Sequence, residues 1–245
     1  MPANIYMIGC GGVGSYFLPP FLKTLKHCKD RNFRNKPVTL VDGDIIEERN
    51  IDRQQFGTCD IGLNKTVALA VEHEDYYEGL GNLPVYVDGS FNPPPRSWFL
   101  VFVDNHVARN EILGALDRLG GCAILAANST IGAQAYFYDS KWKGNPLDPR
   151  VRYPEITTDK TGSPVQAAGC ASDEALDDAP QTPVANFMAA SFAQLLFNFW
   201  AFEQKALDPA LTQSIWPVEM SNTSTRLNVT TYGQLTTNHT NTHTP

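Results

Sequence analysis

The chain has 245 residues, 42% of them hydrophobic, and a formal net charge of −7. That length and composition suit one large domain, or one with appended segments, and exclude a disordered chain. With no long basic run, a nucleic-acid partner held by phosphate neutralisation is not expected.

The N-terminus enters a strand-like run, "ANIYMIG", at once. It shows no basic n-region and no apolar h-region, so no signal peptide is expected. "IGCGGVGSYF" (8–17) then reads as a glycine-rich turn opening a helix to about Lys26, which Pro19 and Pro20 should shorten or kink. "PVTLVD" is a second strand ending in an acid, Asp42. "NKTVALAVEHEDYY" has helical character. "LPVYV" is a third strand and "WFLVFVD" a fourth, ending at Asp104. "HVARNEILGALDRLG" has apolar residues at helical spacing and a glycine stop. "CAILAAN" is a fifth strand. Short, near-continuous apolar strands separated by helices predict a parallel sheet covered on both faces. Ligands of such sheets bind at the carboxyl ends of strands, where the glycine loop, Asp42 and Asp104 all lie.

After Asn128 the texture changes. "GAQAYFYDS" predicts another strand, antiparallel to the rest. Residues 139–181 lack periodicity and read as a functional loop. "TPVANFMAASFAQLLFNFWAFEQ" predicts a long apolar helix. Its apolar core "FMAASFAQLLFNFW" holds Gln194 and Asn198 and reads as too short and polar to span a bilayer. "TSTRLNVTTYGQL" predicts a strand before a polar tail. The fold class is therefore α/β: a Rossmann-like, doubly wound, mostly parallel sheet with additional antiparallel strands towards the C-terminus. The expected divisions are a nucleotide-binding core (1–138), a crossover loop (139–181), a helix and strand completing the same domain (182–235) and a tail (236–245). A soluble cytoplasmic protein without membrane contact is expected.

Gly9, Gly11 and Gly14 match G-x-G-x-x-G, with Gly12 as an extra glycine. Such a loop lets backbone N–H groups and a helix N-terminus approach an anion. It does not choose between NAD and ATP. Asp42 can hydrogen-bond the ribose of either, and it lies further along than the usual ~20 residues because "KHCKDRNFRNK" intervenes. "VDGDIIEERNIDRQQFGTCDIGLNKT" adds Asp44, Asn50, Arg53, Gln54 and Lys65. A dehydrogenase needs little of this, whereas a triphosphate needs cations and a carboxylate for Mg2+.

"GCGGVGS", "DGD", "NIDRQ", "GLNK" and "DNHVAR", in this order, resemble the signature of the ThiF/MoeB/ubiquitin-activating family of adenylyl-transferring enzymes. The resemblance covers residues 5 to about 130 and echoes weakly to about 203. It implies that ATP is bound, with Asp42 on the ribose hydroxyls. Asn50, Arg53 and Lys65 would contact the phosphates, with Gln54 nearby. Asp104 would bind Mg2+ as the most sensitive catalytic position, with Asp44 a possible second carboxylate. Asn105 and Arg109 complete the last motif, and read equally well as a helix cap and a surface ion pair. The implied partner is a small ubiquitin-like or sulfur-carrier protein with a C-terminal glycine. Adenylation of a peptide or tRNA-linked carboxylate is the alternative, and an NAD-binding oxidoreductase a more distant one. Members forming symmetric dimers often bring an arginine from before the first strand. Only Met1 to Asn4 precede it here, so another residue or another subunit of a homodimer or hetero-oligomer would supply it.

The five cysteines are scattered without a CxxC pair, so neither a disulfide framework nor a zinc site is expected. Cys170, just before the long helix, resembles the catalytic cysteine of small activating enzymes and would carry a thioester. Its acidic neighbours Asp173, Glu174, Asp177 and Asp178 oppose thiolate formation. Cys10 is expected to pack in the loop, Cys28 and Cys122 to be structural, and His106 to be solvated.

Overall fold

The computed structural model describes residues 4–129, 132–159, 182–202, 216–223 and 226–232. Five strands are parallel: β1 (Ile5–Ile8), β2 (Val38–Val41), β3 (Leu80–Leu83), β4 (Ser97–Val101) and β5 (Gly121–Asn128). Three more, β6 (Ala133–Asp139), β7 (Trp216–Thr223) and β8 (Arg226–Tyr232), run antiparallel. The sheet order is β3-β2-β1-β4-β5-β6-β7-β8. Parallel neighbours need a long crossover, while the few residues between β5 and β6 allow only an antiparallel return. The chain proceeds outward from β1 to β3, then returns to β1's other side at β4. That reversal opens a crevice at the carboxyl end of β1.

The helices are α1 (Gly12–His27), α2 (Glu48–Ile51), α3 (Lys65–His73), α4 (His106–Leu119), α5 (Pro149–Arg152), α6 (Glu155–Thr158) and α7 (Pro183–Phe202). Alternation along the strands sorts the two faces. Ile5, Met7, Val38, Leu40, Leu100 and Ile124 join α1, α3 and α7 in the larger core. Ile8, Val41, Phe99, Val101 and Leu125 join α4 and α6 in the smaller one. Aromatic rings dominate the larger core, with Phe197 edge-on to Phe21, Phe33 and Trp98 at centroid distances of 4.9, 5.6 and 5.5 Å.

The expected α/β architecture is found, with five departures. First, α1 runs unbroken across Pro19 and Pro20. Each proline removes a helical hydrogen bond, but Phe17, Leu18, Phe21, Leu22 and Leu25 are fully buried, and that burial outweighs the loss. Second, β3 ends at Leu83, where the expected third strand began. Asp42 N donates to Leu83 O as the last rung, Pro84 has no N–H to give, and Val85 and Tyr86 stand exposed. Third, β7 was not read from the sequence, and it forms a hairpin with β8 and pairs with β6. Fourth, the described part of the stretch read as loop contains a 3-10 turn at Ser140–Trp142 and the single-turn helices α5 and α6. Asp148 caps α5, accepting from Arg150 N at 2.9 Å, with Pro149 behind it. Fifth, α7 has 20 residues and is long and apolar enough to cross a membrane by length and composition. It packs as a core helix instead: Ala189, Ala193, Leu196 and Phe197 are fully buried against α1 and the sheet. Its Gln194 amide donates to Asn198 Oδ1 at 2.8 Å. Cys170 and residues 233–245 lie outside the described residues.

Candidate functional site

The glycine loop is built by close contacts that admit no side chain. Gly9 has φ +93°, and a Cβ there would stand 2.7 Å from the Phe102 carbonyl. Only glycine takes that conformation at no steric cost. The contact also brings the end of β4, two residues before Asp104, against the loop. α1 begins at Gly12 with no acid in its first turn, so its N-terminus faces the crevice as a bare partial positive charge.

Asp42 closes the loop from the side of β2. Its Oδ2 accepts from Cys10 N at 2.6 Å and its Oδ1 from Asp44 N at 2.9 Å. Burial raises its pKa above the ordinary carboxylate value. Lys65 works against that shift and Asp44 adds to it. Burial, followed by the charge of Asp42, raises the Cys10 thiol well above its ordinary value, so Cys10 is an unreactive packing residue.

Asp44 is held by two groups. Lys65 Nζ, 2% exposed as a side chain, donates to its Oδ2 at 2.7 Å. The Tyr86 hydroxyl donates to its Oδ1, also at 2.7 Å. Asn64 fixes this turn, its amide donating to the carbonyls of Asp42 and Asp44 at 3.0 and 2.9 Å while its Oδ1 caps α3 through Thr66 N. The Tyr86 ring lies on Gly43, where a Cβ would meet it at 2.6 Å.

Opposite, α2 and the turn that follows it present Asn50, Arg53 and Gln54, all buried polar residues. Asn50 Oδ1 accepts from Glu47 N at 3.0 Å in a capping box. The other ends of these side chains are unsatisfied: Asn50 Nδ2, Arg53 Nη2 and Gln54 Oε1 have no hydrogen-bond partner among the described residues. Gln54 lies over Gly11, with its Nε2 3.6 Å from where a Cβ would be. Asn186, fully buried near the start of α7, donates to Arg53 O at 2.9 Å. It also presses on Gly12, where a Cβ would come within 2.5 Å of its Oδ1.

Ten of the residues singled out from sequence therefore meet at one end of the sheet: Gly9, Gly11, Gly12, Gly14, Asp42, Asp44, Asn50, Arg53, Gln54 and Lys65. Asp104 stands exposed in the turn after β4. Asn105 caps α4, its Oδ1 accepting from Ala108 N at 2.8 Å. Among the described residues Arg109 makes no ion pair; its Nη2 donates to Val103 O at 2.7 Å. Among the described residues no group of three His, Cys, Asp or Glu side chains could cage a metal. Mg2+ asks for less, being held by one or two carboxylates together with substrate phosphates, and Asp104 fits that use. Tyr86, Asn64 and Asn186 were not read from the sequence. Asn64 carries a cap signal ahead of a helix, and Asn186 is a polar residue in an apolar helix. Tyr86 has no sequence signal.

The sequence matches no protein-family model and no curated protein. The fold does match solved structures. E. coli MccB with ATP superposes with a TM-score of 0.56 at 17% identity, over 94% of this chain and 64% of that one. The microcin C7 biosynthetic enzyme MccB in complex with N-formylated MccA gives 0.61 at 17%, over 94% and 64%. PaaA gives 0.58 at 14%, again over 94% and 64%. The chain thus has the Rossmann-like fold of MccB and PaaA and spans less than two thirds of each.

Proposed function

We propose that this protein is an ATP-dependent adenylating enzyme acting on a carboxylate at the end of a small peptide or protein. The observation that carries the reading is the buried set Asn50, Arg53 and Gln54 beside the glycine loop. Unsatisfied buried donors are unfavourable unless a ligand completes them, and an anionic phosphate chain completes Asn50 Nδ2 and Arg53 Nη2. The fold supports the same reading, since MccB has been seen with ATP and with MccA. The five ordered motifs support a ubiquitin-like or sulfur-carrier substrate as the second reading, with Cys170 as its thioester site.

In the reaction, a carboxylate oxygen attacks the α-phosphorus of ATP. The bond from that phosphorus to the bridging oxygen breaks, and pyrophosphate leaves with the electron pair. Both reactants are anionic, so charge must be cancelled where it develops. Arg53 and the α1 N-terminus take phosphate charge, Lys65 does so while anchored on Asp44, and Asp42 accepts from the ribose. Mg2+, held by Asp104 and the phosphates, would supply further charge neutralisation.

ATP–pyrophosphate exchange tests this. The wild-type chain should catalyse exchange only with a free-carboxyl peptide or carrier present, and Asp104→Ala should lower it about 100-fold or more. Exchange intact in Asp104→Ala removes that residue's role. Nicotinamide dinucleotide binding with no exchange would overturn the whole reading.

A further inference from the structure

A cavity of about 50 Å³ lies where the first turn of α4 faces β5, β6 and α6. That is several times the space one water needs, and holds a group of a few heavy atoms. Its far wall is self-satisfied. Gln134 Nε2 and the Tyr153 hydroxyl both donate to Glu219 Oε1, at 2.8 and 2.7 Å, and Arg152 pairs with the same carboxylate at 2.7 Å.

Arg109 and Tyr136, also lining the cavity, are different. Arg109 makes one good hydrogen bond, to Val103 O at 2.7 Å, and a long one of 3.4 Å to His106 Nδ1. No described carboxylate pairs with it. The Tyr136 hydroxyl has no hydrogen bond to any described residue. Burial lowers the Arg109 pKa, while Tyr136, Asp104 and Glu155 act to raise it. Leu125 and Ile156, 1% and 2% exposed, keep the wall dry. Arg109 is part-buried, with Asp104 and Glu155 near enough to act on its charge but no carboxylate in ion-pair reach among the described residues, so an anion in the cavity would complete it. The guanidinium's fork of N–H groups suits a carboxylate held by two parallel bonds.

We propose that Arg109 and Tyr136 form a subsite for a carboxylate on the substrate's terminal residue, next to the turn that carries Asp104. The inference rests on the adenylation reading and names where its acyl substrate is gripped. Glu155, exposed at the rim, disfavours a dianion more than a monoanionic carboxylate. The carboxylate is either the main-chain terminus or an acidic side chain.

Calorimetric titration of the full chain separates these. The probes are N-acetyl-L-alanine (main-chain carboxylate), N-acetyl-L-aspartic acid α-amide (side-chain carboxylate), N-acetyl-L-alaninamide (none) and inorganic phosphate. One of the first two should bind at least about tenfold more tightly than the last two, and which one identifies the source. Tyr136→Phe removes a hydroxyl that bonds to no described residue, so it should leave the melting midpoint unchanged and weaken the carboxylate about fivefold. Arg109→Met should abolish the preference; if that variant does not fold, Tyr136→Phe decides. Equal affinity for all four probes, or a preference untouched by Tyr136→Phe, overturns the subsite. A parallel titration of the wild type with AMPCPP keeps the two readings apart. AMPCPP binding without carboxylate discrimination sinks only the subsite, and discrimination without AMPCPP binding sinks the nucleotide reading.

Discussion

The two sides of the crevice handle buried charge in opposite ways. On the β1–β2 side, acids and cations from neighbouring turns lock one another: Cys10 N on Asp42, Asp44 on Lys65 and Tyr86. Asn50, Arg53 and Gln54 keep unsatisfied side-chain atoms there, and Gln54 lies over Gly11 of the glycine loop. Beyond β5 the polar groups come from distant parts of the chain and serve mainly to hold elements together. Arg150 is clamped between Asp117 at 2.7 Å and Asp148 at 2.9 Å, joining α5 to α4. Arg109, which lines the cavity there, has no carboxylate in ion-pair reach among the described residues. A binding site is marked by what its fold leaves unfinished, and a brace by what its fold completes.

Four measurements sharpen that contrast. Arg53→Met should lower pyrophosphate exchange about 10²–10³-fold, roughly 3–4 kcal/mol at the transition state, with little change in the urea midpoint. A comparable loss of folding stability would make Arg53 a brace. Gly14→Ala should cost about 3 kcal/mol in urea unfolding. Its Cβ would stand 2.1 Å from the Gly9 carbonyl oxygen, and backbone cannot step aside. Asp117→Asn should cost about 2 kcal/mol, because it weakens a charge-assisted bond to Arg150 and leaves Asp148 to hold it. Exchange should survive in this variant, since the clamp is outside the crevice.

The smallest effect separates the two halves by pH. For Asp117, burial pushes the pKa up, but hydrogen bonds from Arg150 and Tyr138 outweigh it and hold the carboxyl below its ordinary value. A folded pKa below the unfolded one gives stability that is present above the unfolded value and is lost as pH falls through the folded one. Asp42 is shifted upward by burial, so the native state takes its proton more readily and its ionisation works against stability at neutral pH. On acidification, AMPCPP affinity should fall first, as Asp42 protonates above its ordinary pKa. The Asp117 contribution to stability should follow at lower pH, and Asp117→Asn should remove only this second step. A single transition for both would dissolve the distinction.

The placement of the glycine-loop half was legible because its motifs are local in sequence. The glycine loop, "DGD", "NIDRQ" and "GLNK" each sit in one turn, and strand order brings those turns together. Tyr86 was hidden because "LPVYV" looks like strand. Pro84 and the turn of β2 into Asp42 end the ladder at Leu83 and free Tyr86 for Asp44. The other half was hidden because its partners are far apart: Gln134, Tyr153 and Glu219 span 85 positions. β7 is a strand through pairing with β6 and β8 rather than through its own pattern. The start of α5 was signalled by Asp148–Pro149, a cap and first-turn pair that the surrounding proline-rich texture obscured.

The amide of Asn186 reaches the carbonyl of Arg53 across 133 positions of chain. Such a closure has loop entropy to meet before the contact returns anything, so the floor of the glycine loop is expected to be among the last parts to assemble. A chain still emerging from synthesis, with α7 not yet docked, would hold its sheet and lack a finished cradle. Nucleotide binding would then report that the whole domain has folded, rather than that its first half has.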